Sequence, residues 1–119
     1  MSNFENLLVW KKSHQLVLNI YKITKKFPSE EKFCLVDQIK RSSSSIPTNI
    51  AEGNSRKSKN EYTQFLYISK GSCEETKYHL ILSRDLGYIS TEEFENLSLQ
   101  INEISKMISS LINYLKSNT

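Results

Sequence analysis

RSSSSIPTNIAEG, Arg41 to Gly53, decides how this chain folds. Four consecutive serines followed closely by a proline have the composition of a linker, and a linker here would cut the chain into two small pieces. The spacing argues against it. Val36, Ile39, Ser43, Ile46 and Ile50 hold one face of a 3.6-residue period from before the serines to after the proline. Gln38, Ser42, Ser45, Asn49 and Glu52 hold a neighbouring polar seam with the same spacing, flanked by Arg41. A linker has no reason to keep two stripes in phase, so the stretch belongs inside a helix. Pro47 removes a hydrogen bond to the carbonyl of Ser43 and is expected to kink that helix. Serine hydroxyls can bond freed or bent carbonyls, and Gly53 is expected to supply the stop.

Working outward, the segment before it reads as a first helix with a wide apolar face. Leu7, Trp10, His14, Val17, Tyr21 and Thr24 form one stripe, and Val9, Ser13, Leu16, Ile20, Ile23 and Phe27 form its neighbour. Phe27-Pro28 should end it, because a residue before proline is biased away from helical dihedrals. Ser29 is then expected to cap the second helix, with Glu30 and Glu31 in its first turn. After the opening stretch, Ser58-Lys-Asn-Glu61 is a capping box that starts a third helix, which runs to a left-handed stop at Gly87. Ser90-Thr-Glu-Glu93 repeats the box, with Ile89 and Phe94 spaced as a hydrophobic staple. The fourth helix follows with Phe94, Leu97, Ile101, Ile104, Ile108, Leu111 and Leu115 in steps of three and four.

No strand-like alternation competes with these patterns. The expectation is an all-α, antiparallel, up-down-up-down four-helix bundle with its second helix kinked at Pro47. It forms a single domain over 1-119, with helices at about 5-27, 30-52, 59-86 and 91-117. With 119 residues, the chain is long enough for one core and too short for two ordinary domains. Its 3 glycines and 2 prolines also disfavour a turn-rich β fold.

The longest apolar run, Leu7 to Trp10, is far short of the roughly 20 residues a membrane span needs. No secretory signal is visible at the N-terminus, and Cys34 and Cys73 stand alone within helical patterns, so a reducing cytoplasm is the expected compartment. The net charge is only +3, but residues 1-59 carry 11 Lys/Arg against 5 Asp/Glu, whereas residues 60-119 carry 5 against 8. In an up-down-up-down bundle, Lys11, Lys12, Arg56, Lys57, Lys59 and Lys116 would gather at one end. Such a patch suits nucleic-acid phosphates, although a solvated helix end has the same composition.

Catalytic patterns are lacking: there is no nucleophile elbow, phosphate-binding glycine loop or Cys-x-x-Cys. A di-metal bundle site needs Glu-x-x-His pairs, and Glu75 and His79 are instead four apart. The expectation is therefore no enzyme, no metal and no cofactor. Gln38, Arg41, Ser45, Asn49, Glu52, Ser72 and Glu75 are read as a structural polar seam between the second and third helices. A small-molecule site around Asn49, Glu52 and Glu75 is a weaker reading of the same residues. Trp10, Tyr67, Ile68, Tyr78 and Leu82 exceed what one core needs and are read as an oligomer interface.

FENLLVWKKSHQL, the FPSEEKF turn, QIKRSSSSIPTNIAEG, EYTQFLYISKGS with Glu75 after it, and DLGYIS together resemble the four-helix-bundle proteins encoded in intervening sequences of 23S rRNA genes, often labelled a ribosomal protein family. The resemblance spans about residues 4 to 115. Ser45-Ile-Pro-Thr-Asn-Ile-Ala-Glu-Gly53 and Gly71-Ser-Cys-Glu-Glu75 are its most specific segments. Cys73, where a larger aliphatic is usual, and Ser42 to Ser44, where alanine is common, depart mildly from the pattern. The resemblance implies a bacterial cytoplasmic bundle, commonly a ring-like homopentamer, distantly similar to accessory proteins of diversity-generating retroelements. Those relatives suggest association with RNA or other nucleic acid. A protein-interaction scaffold without a nucleic-acid ligand is the alternative.

Overall fold

The computed structural model describes residues 3-117. Four helices make up most of it: α1 (Leu8–Thr24), α2 (Leu35–Asn54), α3 (Lys59–Asp85) and α4 (Thr91–Ser117), with short 3-10 turns at Phe4–Asn6 and Ser29–Glu31. There is no strand among the described residues.

Helix α2 passes unbroken through all four serines and Pro47. Its apolar stripe is the centre of the core: Ile39, Ser43, Ile46 and Ile50 have no exposed surface. The hydroxyls of Ser42, Ser43 and Ser44 donate to the carbonyls of Ile39, Lys40 and Arg41, and Thr48 donates to Ser44. Local polar groups thus stay satisfied inside an element whose composition looks unhelical.

The core is continuous from Val9 through Ile46 and Leu66 to Leu115 and draws on every helix. Val9, Leu16 and Ile20 of α1 and Phe27 just beyond it are buried in it, as are Leu97, Ile101, Ile104 and Ile108 of α4. Contacts between neighbours fix the helix directions. Lys12, Asn19 and Lys26 of the first segment bond Glu103, Gln100 and Glu93 respectively, while Ser42, Ser45 and Ile46 meet Thr76, Ser72 and Ser69. Numbers rise on one helix as they fall on the other, so these neighbours run in opposite senses. The backbones of α1 and α3 do not approach each other, so these helices occupy opposite corners.

Four boundaries differ from the sequence-based expectations. The first α-helix starts at Leu8 after a separate 3-10 turn and ends at Thr24, with Phe27 N-H donating to Thr24 O in the turn beyond. The second starts at Leu35, not at residue 30, and its N-cap is Cys34 rather than Ser29, which lies in the preceding 3-10 turn. Cys34 breaks the path at φ −119 and ψ −104, and Leu35 and Val36 then enter the core. Gly53 is not the stop of α2: it is helical and buried, because a Cβ there would lie 2.8 Å from Tyr62 Cδ1 and 2.9 Å from Phe65 Cβ. The glycine lets α3 approach α2 closely.

The other terminators form as expected. Ser58 Oγ accepts the Glu61 N-H at 3.0 Å. Ser90 and Glu93 complete a reciprocal capping box at 3.0 and 2.8 Å. Gly87, at φ +81, takes the left-handed position after α3.

Candidate nucleic-acid interface

The turn joining α2 to α3 is set by local bonds. Ser55 N-H and Arg56 N-H donate to Glu52 O and Gly53 O, and Ser58 then caps α3. This short connection places Arg56, Lys57 and Lys59 together on the surface. Arg56 is held in place: its Nη2 donates to Glu52 Oε2 at 2.9 Å, and its guanidinium lies 4.7 Å from the Phe65 ring centroid. Lys57 and Lys59 are exposed beside the N-terminus of α3, where the free N-H groups favour anions.

The other three cations do not join this group directly. Lys12 pairs with Glu103 at 3.2 Å on the α1/α4 flank. Glu103 and Lys116 are thirteen residues apart on α4, about 20 Å of helix, so the expected single patch of all six residues does not form. Helix α1 begins partway along α4, with Lys12 opposite Glu103, so Lys12 sits away from the bundle end where α4 finishes. Lys116 Nζ instead donates to the Tyr67 hydroxyl at 2.8 Å and sits over its ring. Lys11 is exposed on α1.

The polar seam divides in two. Ser72 Oγ donates to Ser45 Oγ at 2.9 Å, and Asn49 Nδ2 donates to the same oxygen at 2.9 Å. Thr76 Oγ1 to Ser42 Oγ, 2.9 Å, and Ser69 Oγ to the Ile46 carbonyl, 2.9 Å, extend the network into the interior. Gln38, Arg41, Glu52 and Glu75 lie outside it on the surface: Arg41 pairs with Asp37, and Glu52 with Arg56. The inner part joins α2 to α3. His79 is buried, and neither ring nitrogen has a hydrogen-bond partner; Nε2 lies 3.5 Å from Glu75 Oε2. No cluster of three or more His, Cys, Asp or Glu suited to a metal occurs among the described residues.

The aromatic groups expected at an interface occupy two places. Tyr67, Ile68 and Tyr78 are exposed on α3, and Leu82 is half-buried against the core. Trp10 lies on α1, with Phe4 edge-on at 5.1 Å and His14 stacked at 5.1 Å. It borders a groove of about 610 Å3 between α1 and α2, whose other side includes Pro47, Thr48 and Ala51. The periodicity contained this feature as the Trp10, His14, Val17 stripe, but spacing alone did not distinguish a groove wall from a core face.

These features define an all-helical four-helix bundle with a serine-bonded α2/α3 pair and a basic connecting turn. The chain belongs to the 23S rRNA-intervening sequence protein family, whose sequence pattern matches residues 5–110. A crystal structure of a protein of unknown function from the S23 ribosomal protein family of Bacteroides thetaiotaomicron is similar, with a TM-score of 0.82 and 32% sequence identity over 88% of this chain and 98% of that one. Comparison with curated proteins gives no match. No helix among the described residues is long and apolar enough to cross a membrane.

Proposed function

We propose that the protein is a non-catalytic, oligomeric bundle of the bacterial cytoplasm that binds RNA or other nucleic acid through backbone phosphates, with the α2–α3 turn as its contact. The observation that carries this reading is the grouping of Arg56, Lys57 and Lys59 on one short turn, with Arg56 already oriented by Glu52 and Phe65. Ordering an arginine before binding lowers the entropic cost of each phosphate contact. The family's association with 23S rRNA intervening sequences favours RNA as the first ligand to test. A bundle of this kind has few groups for reading base edges, so recognition would rest on shape and charge.

Titration of labelled rRNA fragments and duplex DNA at several salt concentrations tests this reading. Binding should weaken with salt, and alanine at Arg56, Lys57 and Lys59 should reduce the logarithmic salt slope by about 2 to 3. Lys12→Ala should change little, because that lysine lies on the α1/α4 flank, away from the α2–α3 turn. Absence of binding at low salt, or a triple variant that binds like wild type, overturns the proposal. The exposed apolar face of α3 favours one second reading, a protein-interaction scaffold without nucleic acid. That reading predicts assembly with no salt-dependent RNA binding.

A further inference from the structure

Between α1 and α4 the surface dips into a cleft of about 400 Å3. It lies toward the end of the bundle opposite the α2–α3 turn, where α1 finishes and α4 starts. Two bonds set the register across it: Asn19 Nδ2 donates to Gln100 Oε1, and Lys26 Nζ donates to Glu93. Counted inward from both, Lys22 comes opposite Asn96 and Ile23 opposite Leu97. Leu97 is buried and Ile23 packs on the core, so the cleft has an apolar floor beneath polar walls.

The polar groups are paired in a way that leaves a particular set over. Lys26 bonds both oxygens of Glu93, and this pairing holds the Glu93 carboxyl below its ordinary range. A chain of amides crosses the other end: Gln15 Nε2 donates to Asn19 Oδ1 at 3.0 Å, Asn19 Nδ2 to Gln100 Oε1 at 3.0 Å, and Gln100 Nε2 to Asn96 Oδ1 at 2.7 Å. The chain runs in one direction, so it occupies the Asn96 oxygen and leaves the Asn96 Nδ2 donors without a partner among the described residues. Lys22 from α1 and Glu92 from α4 also line the cleft, and neither is in an ion pair among the described residues.

Two lysines and two glutamates sum to zero, so the cleft has no net attraction for a simple anion or a simple cation. It offers separated charges instead. Lys22 and the Asn96 amide stand at one level. Glu92 is one turn away on α4, with i,i+4 Cβ atoms about 5 to 6 Å apart. A molecule carrying a carboxylate and an ammonium side by side, with a hydrocarbon tail, pairs every one of these groups.

We propose that the α1/α4 cleft binds a small zwitterion of the α-amino-acid class with an apolar side chain. Lys22 Nζ and Asn96 Nδ2 take its carboxylate, Glu92 takes its ammonium, and Ile23 and Leu97 receive its side chain. The volume is within the range of small-molecule sites. This site is separate from the basic turn and does not depend on nucleic-acid binding.

Equilibrium dialysis of the full chain against radiolabelled L-leucine tests the site, with 4-methylpentanoate and 3-methylbutylamine as competitors that lack the ammonium and the carboxylate respectively. Leucine should bind saturably, and each competitor should be weaker by about tenfold or more, the least that a charge-assisted bond contributes. Lys22→Met and Glu92→Gln keep the side-chain length and break no bond within the chain, so both should retain the wild-type Tm and lose about tenfold in leucine affinity. The two variants should also differ from each other. In Lys22→Met, 3-methylbutylamine should compete as well as leucine, and in Glu92→Gln, 4-methylpentanoate should do so. No saturable leucine binding at millimolar concentration overturns the proposal. So do competitors that match leucine on the wild type, or folded variants that bind leucine as the wild type does.

Discussion

Replacing Gly53 by alanine isolates the close contact between α2 and α3. In an open helix, the change is favourable by about 1 kcal/mol because alanine is the better helix former. Here the new methyl would lie 2.8 Å from Tyr62 Cδ1, 2.9 Å from Phe65 Cβ and 3.2 Å from Tyr62 O. Comfortable carbon contacts are about 3.5 to 4.0 Å. The Tyr62 ring can rotate, but Phe65 Cβ and the Tyr62 carbonyl move only with the backbone, so the two helices must separate locally. Overpacking of this kind costs about 1 to 3 kcal/mol. Set against the propensity gain, a net loss of about 1 kcal/mol is expected, or about 4 °C in Tm for a chain of this length. Urea unfolding followed by far-ultraviolet circular dichroism measures it. Because Phe65 carries Arg56 over its ring, the proposed RNA binding should also weaken in a salt-dependent way. A Gly53→Ala protein more stable than wild type by about 1 kcal/mol, the full propensity gain, would refute the steric argument.

Three further outcomes follow from particular groups. Thr76→Val removes the bond to Ser42 within a buried layer and should cost about 1 kcal/mol; a double-mutant cycle with Ser42→Ala that is additive within about 0.3 kcal/mol would deny the coupling. The Tyr88 hydroxyl donates to Glu31 Oε2 at 2.7 Å, and this bond, with burial, pushes its pKa from 10.0 up to about 12. Since the folded pKa is the higher one, its stabilising contribution is full below about pH 10 and disappears as pH rises through about 12. Glu31→Gln should bring Tyr88 ionisation back down in an absorbance titration, and an unchanged curve would rule out the carboxylate as the cause. Cys34 is exposed, whereas Cys73 is buried, with its thiol pushed up to about 12 chiefly by burial. A thiol reagent should therefore modify one cysteine rapidly in the native protein and the second only on unfolding, and equal native rates would contradict this assignment.

The helices were legible from the residues alone wherever spacing and terminal chemistry agreed. Phe94 to Leu115 repeat in steps of three and four, Ser58 and Ser90 supply their own caps, and the in-phase stripes through Arg41 to Gly53 overrule a linker-like composition. Each of those signals acts within a few residues and is carried by periodicity or by side-chain bonds to adjacent backbone. What lies between helices became visible only once the four were packed together. Whether Ser42 and Ser45 face solvent or Thr76 and Ser72, whether Gly53 ends a helix or admits Tyr62 and Phe65, and whether Lys12 joins the basic turn or pairs with Glu103 all depend on the offset between helices. That offset has no local code, because it is set by how several apolar stripes from distant parts of the chain pack into one core.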